Sequence, residues 1–324
     1  MANFLRAWRA HQRTTWLIFI SVFDRLQGLY QLVGKTRFMS LKIIVTDTHS
    51  ALGRTLEHDL EREQCQLLSP DIQWEDALAT REYLMQHKPD VVINTLAWEE
   101  VPSEGQQTIL PIVAANLAQA CAALGVPLVH FSSYQVFGVD NKSSHSEKDI
   151  PAPVSAAGRA FFAAEQAIEH SSAKFIILRL GWIIGSIGDN HLTRLLKAIQ
   201  SQQPITLNTR LRGAPTLLSD AVRVCVALVK QIACGADNWG VMHYCSGDAV
   251  NEAEFGEQLV QLLAQQQLLK QDANFTLVDV PPISEPLSAV LGCRRIRDAF
   301  GVQARPWRPS LLPLVKQWFH NQQA

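Results

Sequence analysis

Two short segments carry side chains whose types and spacing could do chemistry. The first is the turn Thr46-Asp47-Thr48-His49-Ser50-Ala51-Leu52-Gly53, which joins an apolar run to a helical pattern. A strand-to-helix turn of this kind is where a dinucleotide-binding fold rests a pyrophosphate on a helix N-terminus, and glycines there let the backbone approach the phosphates. The positions spaced by three are Asp47, Ser50 and Gly53, so only the last is glycine. A carboxylate ~5 Å from a phosphate charge costs roughly 3 kcal/mol at an effective dielectric of about 20. Ser50 adds a side chain where backbone would touch the ligand, because glycine's role at such a place is steric. These residues predict weakened or lost dinucleotide binding. The alternative is a shifted loop that binds through the Thr48 and Ser50 hydroxyls.

The second segment is the hydroxyl run Ser132-Ser133-Tyr134, at the end of another apolar run. A serine can orient a carbonyl, and a phenol can deliver a proton to it. Tyr134 is thus either a substitute acid or a packing or rim residue. His130 reads as a hydrogen-bonded core residue rather than a base. The six cysteines are scattered and none stands in a C-x-x-C pair, which argues against a metal site or a disulfide framework. Free thiols of this kind suit a reducing cytoplasm.

These groups must be held by an alternating pattern. Leu41–Thr46, Cys65–Leu68, Val91–Thr95, Pro127–Ser132 and Phe175–Arg179 read as buried strands. Between them Leu52–Glu63, Trp74–His87, Ile109–Leu124 and Ala156–His170 read as helices, with Gly125 as a C-cap. Strands and helices alternating at this length mean parallel strands with right-handed crossovers. The predicted fold is therefore α/β: a Rossmann-type doubly wound parallel sheet over residues 39–185, with a smaller C-terminal substrate-side lobe over 186–324. In that lobe His191–Gln200, Ser219–Ile232 and Glu252–Gln267 read as helices and Pro204–Leu207 and Val241–Cys245 as strands, before an end rich in Pro and Arg.

Residues 1–38 do not fit the pattern. Arg6, Arg9 and Arg13 precede the apolar run Trp16–Phe23, which is far shorter than the ~20 residues that cross a bilayer. They are expected to be an appendage, and the sole route to any membrane contact. With 47% apolar and 18% charged residues the chain reads as globular, and a net charge of −1 with no basic run excludes a nucleic-acid binder.

Seven segments, taken in order, carry a family resemblance from Leu41 to Phe255. They are K-I-I-V-T…L-G-R, then K-P-D-V-V-I-N-T (Lys88–Thr95), A-N-L-A-Q-A-C (Ala115–Cys121) and L-V-H-F-S-S-Y-Q-V-F-G (Leu128–Gly138). I-L-R-L-G-W-I-I-G (Ile177–Gly185), R-G-A-P-T (Arg212–Thr216) and G-V-M-H-Y-C-S-G (Gly240–Gly247), followed by Glu254-Phe255, complete the set. Together they resemble the extended short-chain dehydrogenases that reduce dTDP-4-dehydrorhamnose, with relatives such as the regulatory subunit of methionine adenosyltransferase.

The resemblance implies NAD(P)H as cofactor, with Thr48, Ser50, Leu52, Gly53, Asn94 and Ala97 at its site, and Trp182, Arg212 and Thr216 toward a sugar nucleotide. Core packing for Trp182 and a solvated Arg212 are the alternatives. It also implies a loop of the form G-x-x-G-x-x-G and a Tyr with a Lys four residues later, the Tyr as acid and the Lys holding the nicotinamide ribose. Ser132 and Ser133 keep the hydroxyl. In the helix, Gly158 and Glu165 set the register, and Ala157 then stands where the Tyr belongs and Phe161 where the Lys belongs. Four residues after Tyr30, Tyr83, Tyr134 and Tyr244 come Gly34, His87, Gly138 and Asp248, and none is Lys. The segment Ala97-Trp98-Glu99-Glu100-Val101-Pro102 also departs from the family's A-Y-T-x-V-D.

Three functions are compatible with this. One is a catalytically impaired descendant that binds or regulates, with a sugar nucleotide or a protein as partner. Another is an active NAD(P)H-dependent reductase of a nucleotide-linked 4-keto-6-deoxy sugar. The third is a structural partner subunit without a small ligand. Fold alone does not choose among them.

Overall fold

The sheet begins where the apolar pattern begins. β1 (Lys42–Val45), β2 (Gln66–Leu68), β3 (Val91–Asn94), β4 (Leu128–Ser133) and β5 (Phe175–Leu180) follow the five expected runs closely. All are parallel, and a sixth parallel strand, β10 (Gly240–Tyr244), pairs with β5. The order across the sheet is β2-β1-β3-β4-β5-β10, so the direction of winding reverses between β1 and β3. In an open parallel sheet, ligands enter the crevice beyond the carboxyl ends of the strands at that reversal. The structure is a computed structural model that describes residues 40–96, 102–269, 273, 275–280 and 285–322. The expected appendage 1–38 and the cofactor-site residue Ala97 lie outside the described residues.

The helices form the layers that parallel strands require. α1 (Ala51–Arg62) packs against α6 (Leu218–Ala233), while α2 (Ala77–His87), α3 (Glu104–Leu124) and α4 (Ala156–Glu169) lie side by side. Each start has a chemical cause. Ser50 caps α1 through Gly53 N, Asp76 caps α2 through Leu78 N and Ala79 N, and Ser155 caps α4 through Gly158 N. α3 starts five residues earlier than its apolar pattern suggests, because Ser103 and Gln106 form a reciprocal capping box around a polar first turn. α2 starts later than Trp74, since Trp74 leaves the helix to bury its indole, and the indole N–H donates to the Thr46 carbonyl at 3.0 Å. Gly125 ends α3 at φ 68°, the left-handed conformation that glycine adopts without strain. α3 is long and apolar enough to cross a membrane, but its Leu110, Val113, Ala114, Leu117, Ala118 and Cys121 face the core.

The smaller lobe does not begin cleanly after residue 185. β6 (Ile183–Ile184) pairs with β9 (Thr216–Leu217), β8 (Arg212–Gly213) with β11 (Val250–Asn251), and β7 (Ile205–Asn208) with β12 (Phe275–Val278). Between them α6 and β10 return to the main sheet, so the lobe expected over 186–324 is interrupted by core elements. α5 (His191–Gln200) and α7 (Glu252–Gln265) match their expected spans almost to the residue. The Pro- and Arg-rich end holds two further helices, α8 (Arg294–Phe300) and α9 (Arg308–Asn321), which were not expected. Pro309 sits in the first turn of α9, where no N–H is missed, but Pro313 lies inside the helix and breaks its sequence signature. Trp307 and Trp318 anchor this end in the core.

One tight contact at the mouth of the sheet is testable. A Cβ at Gly53 would lie 1.9 Å from the Asp47 carbonyl oxygen, whereas at Gly105 it would meet only the Ser103 hydroxyl at 4.0 Å. Gly53→Ala should destabilise by roughly 3 kcal/mol and lower the melting temperature by about 5–10 °C. Gly105→Ala should be neutral or slightly stabilising. Thermal unfolding of the two variants checks the contrast.

Candidate functional site

The crevice at the reversal is bounded by Thr46 and Asp47 after β1 and by Thr95 and Leu96 after β3. Side chains stitch these two edges together. The Thr46 hydroxyl donates to Asn94 Oδ1 at 3.0 Å and accepts from the backbone N–H groups of Thr95 and Leu96, each at 3.0 Å. The Thr95 hydroxyl accepts from Asp47 N at 3.1 Å and donates to Asp47 O at 2.7 Å. Asn94, expected beside a cofactor, is therefore engaged inside the protein. Its Nδ2 donates to His130 Nδ1 at 3.0 Å, which places the His130 proton on Nε2.

Two backbone N–H groups of the turn into α1 are met by its own side chains. Asp47 Oδ1 accepts from His49 N at 2.7 Å, and Ser50 Oγ accepts from Gly53 N at 3.1 Å. Thr48 pairs with the Ser69 hydroxyl at 2.8 Å, and Leu52 is fully buried. A backbone N–H that would otherwise hold an anion is thus met by an internal carboxylate, and another by an internal hydroxyl. The loop 186–189 also closes on α1. A Cβ at Gly188, which has φ +76°, would come within 2.8 Å of the Ala51 side chain. Asn190 holds that loop through Gly185 N, Gly185 O and Ile187 O, and the Thr193 hydroxyl donates to Gly188 O at 2.9 Å. The sequence reading missed this loop, although Gly188-Asp189-Asn190 marks a turn ahead of a helix.

The hydroxyl run sits at the carboxyl end of β4. Ser132 is buried and donates to Glu165 Oε1 at 2.5 Å. Ser133 caps the short 3₁₀ turn 134–136, its Oγ accepting from Gln135 N at 3.3 Å. Tyr134 lies in that turn and is 4% exposed. The N-terminal turn of α4 presses on it, since a Cβ at Gly158 would lie 2.2 Å from the Gln135 carbonyl oxygen. Ala157, Phe161 and Glu165 are spaced by four, share one helix face and are all buried. The face that carries Glu165 to the sheet therefore presents a phenyl ring and a methyl group one and two turns earlier.

Glu165 belongs to a buried polar network that the sequence reading used only for register. Arg179 holds it in a two-point grip, Nε to Oε1 at 2.8 Å and Nη2 to Oε2 at 2.6 Å. Arg179 Nη1 lies 3.4 Å from His243 Nε2, and His243 Nδ1 donates to the His145 carbonyl at 3.2 Å. Phe137 stacks on His145 at 4.1 Å and lies 5.2 Å from the guanidinium. A single acid on the alanine-rich inner face of α4 was the signal, because a buried carboxylate needs a cation.

The residues expected toward a sugar nucleotide are not brought together at an open surface. Trp182 is buried between the Gly213 backbone, where a Cβ would meet the ring at 2.1 Å, and His191, stacked at 4.5 Å. Phe255 and Trp307 extend the aromatic ladder. The Thr216 hydroxyl donates to Ala214 O at 2.9 Å and accepts from Ser246 N at 3.2 Å, which leaves it no hydrogen for a ligand. Arg212 is exposed.

The parallel sheet, its reversal between β1 and β3 and the turn into α1 define a Rossmann-type α/β protein. A family described as the RmlD substrate binding domain matches residues 41–319, and the chain belongs to that family. It is similar to the dTDP-4-dehydrorhamnose reductase of Aggregatibacter actinomycetemcomitans, 23% identical over 286 residues that cover 83% of this chain and 97% of the relative. Among solved structures, a dTDP-4-dehydrorhamnose reductase from Clostridium acetobutylicum superposes with a TM-score of 0.74 at 23% identity, covering 85% of this chain and 99% of the other. That of Bacillus anthracis, in complex with NADP, gives 0.73 at 20% identity, covering 87% and 100%.

The buried imidazoles give this region a pH dependence. Burial pushes His130, His191 and His243 down to about 3, with Arg194 adding to the effect at His191 and Arg179 at His243. An unfolded histidine titrates near ~6.5, so between these values the unfolded chain binds more protons. The stability is complete above about pH 6.5 and falls as pH drops toward 3, by up to ~1.4 kcal/mol per pH unit for each histidine. His130→Gln keeps an acceptor for Asn94 and removes one titrating group. Urea unfolding between pH 6.5 and 4.5 should show a shallower loss of stability in that variant than in the parent.

Proposed function

We propose that this chain is a catalytically silent member of its family, which uses a reductase scaffold to bind rather than to reduce. The observation that carries the reading is the inner face of α4, where Ala157 and Phe161 precede the buried Glu165. Alanine donates no proton, and a fully buried phenyl ring neither lowers a phenol's pKa nor anchors a ribose. Losing a positioned general acid removes roughly 10²–10⁴-fold in rate, and lost cofactor placement compounds that. Tyr134 is a poor substitute on this reading, since it is buried and Gly138, not Lys, stands four residues on.

NAD(P)H is the cofactor that the family implies, and the NADP complex of the Bacillus anthracis reductase supports it at the level of the family. The residues of this turn fit it poorly. Asp47 sets a negative charge at the mouth of α1, and Ser50 fills the cap where phosphate oxygens would lie. What remains for the scaffold is a regulatory or binding role toward a nucleotide-linked sugar or a protein. The cytoplasm, where free thiols persist, is the proposed compartment.

NADH or NADPH with dTDP-4-dehydro-6-deoxy sugars should give no measurable oxidation above the protein-free rate. Joint replacement Asp47→Gly, Ser50→Gly, Ala157→Tyr and Phe161→Lys should restore cofactor binding before it restores turnover. Robust turnover by the parent protein, abolished by Tyr134→Phe, would overturn the reading and make Tyr134 the acid.

A further inference from the structure

Two cysteines 48 residues apart in sequence lie with their sulfurs 3.8 Å apart, unbonded. Cys245 follows β10 and is buried, while Cys293 precedes α8 and is partly exposed. Their surroundings differ. The Cys245 thiol lies 3.1 Å from the Leu291 carbonyl and 3.8 Å from Cys293 Sγ and shares its one hydrogen between them, while its sulfur accepts from Leu291 N at 3.4 Å. Cys293 Sγ accepts from the Cys245 backbone N–H at 3.2 Å and lies 3.4 Å from the Leu291 carbonyl. A donor aimed at sulfur favours the thiolate, which is the reactive form. The hydrogen bond from Cys245 and that N–H hold Cys293 below the ordinary thiol range, against burial and the Glu147 carboxylate. The same bond and burial push Cys245 well up. The sulfur nearer water is thus the one that ionises first, and a protonated partner stands behind it.

We propose that Cys293 and Cys245 form a peroxide-responsive dithiol, with Cys293 as the attacking sulfur and Cys245 as the resolving one. The oxidant is a hydroperoxide. The Cys293 thiolate attacks its terminal oxygen, the O–O bond breaks, and the departing alkoxide or hydroxide takes a proton to leave as alcohol or water. Cys293 is then a sulfenic acid. The Cys245 sulfur attacks Cys293, the S–O bond breaks, and the hydroxide leaves with the Cys245 proton as water. Two thiols lose two electrons and the peroxide gains them. Closing from 3.8 Å to a bond of about 2.05 Å draws together the end of β10 and the strap that precedes α8. That strap is already paired to His145 through His145 N to Val290 O and Gly292 N to His145 O. It also packs beneath Gly181, where a Cβ would lie 3.0 Å from the Cys245 Cβ and 3.1 Å from Ala289 O. The bond would therefore fasten the strap where the chain enters the smaller lobe.

The other cysteines supply the controls. Cys121 and Cys225 are buried and pushed up to about 12, and Cys234 is exposed on the surface. The reduced full chain is treated with hydrogen peroxide, its remaining thiols are alkylated, and it is digested without reductant for mass spectrometry. A single linked peptide joining Cys245 to Cys293 is expected, with loss of the Cys293 thiol at least tenfold faster than that of Cys234. Dithiothreitol should reverse the link, and the linked protein should melt a few degrees higher. In Cys245→Ser, dimedone should trap a sulfenic acid on Cys293, while Cys293→Ser should leave Cys245 unlabelled. The proposal falls if Cys234 oxidises while both partners remain free thiols, or if dimedone labels Cys245 instead. The linkage in the parent protein decides the matter even if a serine variant does not fold.

Discussion

The Glu165–Arg179 pair is the interaction on which the rest of the molecule depends. Both side chains are almost wholly buried, with 1% and 4% of their surface exposed, and a carboxylate so placed is tolerable only with its hydrogen bonds complete. Arg179 supplies two of them and Ser132 a third. The carboxylate belongs to α4, its partner to β5 and the serine to β4, and Arg179 reaches on to His243 of β10. Four elements are thus tied through one charge pair, and removing either partner would strand the other, at roughly 3–5 kcal/mol. Because the pair sets the rotation of α4, it also decides what that helix turns toward the end of β4.

The scaffold and the chemistry can therefore part company. On the proposed reading the residues that position α4 are in place, while its inner face carries a methyl group and a phenyl ring, neither of which transfers a proton. The same separation holds at α1. Gly53 keeps the close approach between helix and loop, where a Cβ would collide with Asp47 O. Asp47 and Ser50 meanwhile use loop donors internally. These two bonds have a physical consequence: a phosphate at this turn would compete with the Asp47 carboxylate for the His49 N–H and with the Ser50 hydroxyl for that of Gly53.

The core was legible because buried parallel strands are continuous apolar runs, and Val91–Asn94 or Phe175–Leu180 have no other reading at that length. That no tyrosine is followed by a lysine four residues on was legible because it needs only positions in the sequence. The polar network was not, since Arg179 and His243 lie 64 residues apart on strands whose pairing is a property of the fold. Trp182 shows the same limit, for an aromatic after a strand suits a ligand wall or a core equally, and only the Gly213 contact decides it. α9 hid behind Pro313, and α3 began early behind a polar capping box that Ser103 and Gln106 do spell out.

The proposed loss of dinucleotide binding rests on a turn into α1 whose His49 and Gly53 N–H groups are met by Asp47 and Ser50. Backbone amide shifts of His49, Ala51, Leu52 and Gly53, followed during titration with NADPH, test it most directly. In the parent protein they should stay unmoved at millimolar cofactor, and in Asp47→Gly/Ser50→Gly they should shift and saturate. Saturable shifts at these amides in the parent would contradict the account, because they would place a pyrophosphate on a helix N-terminus held here to be filled.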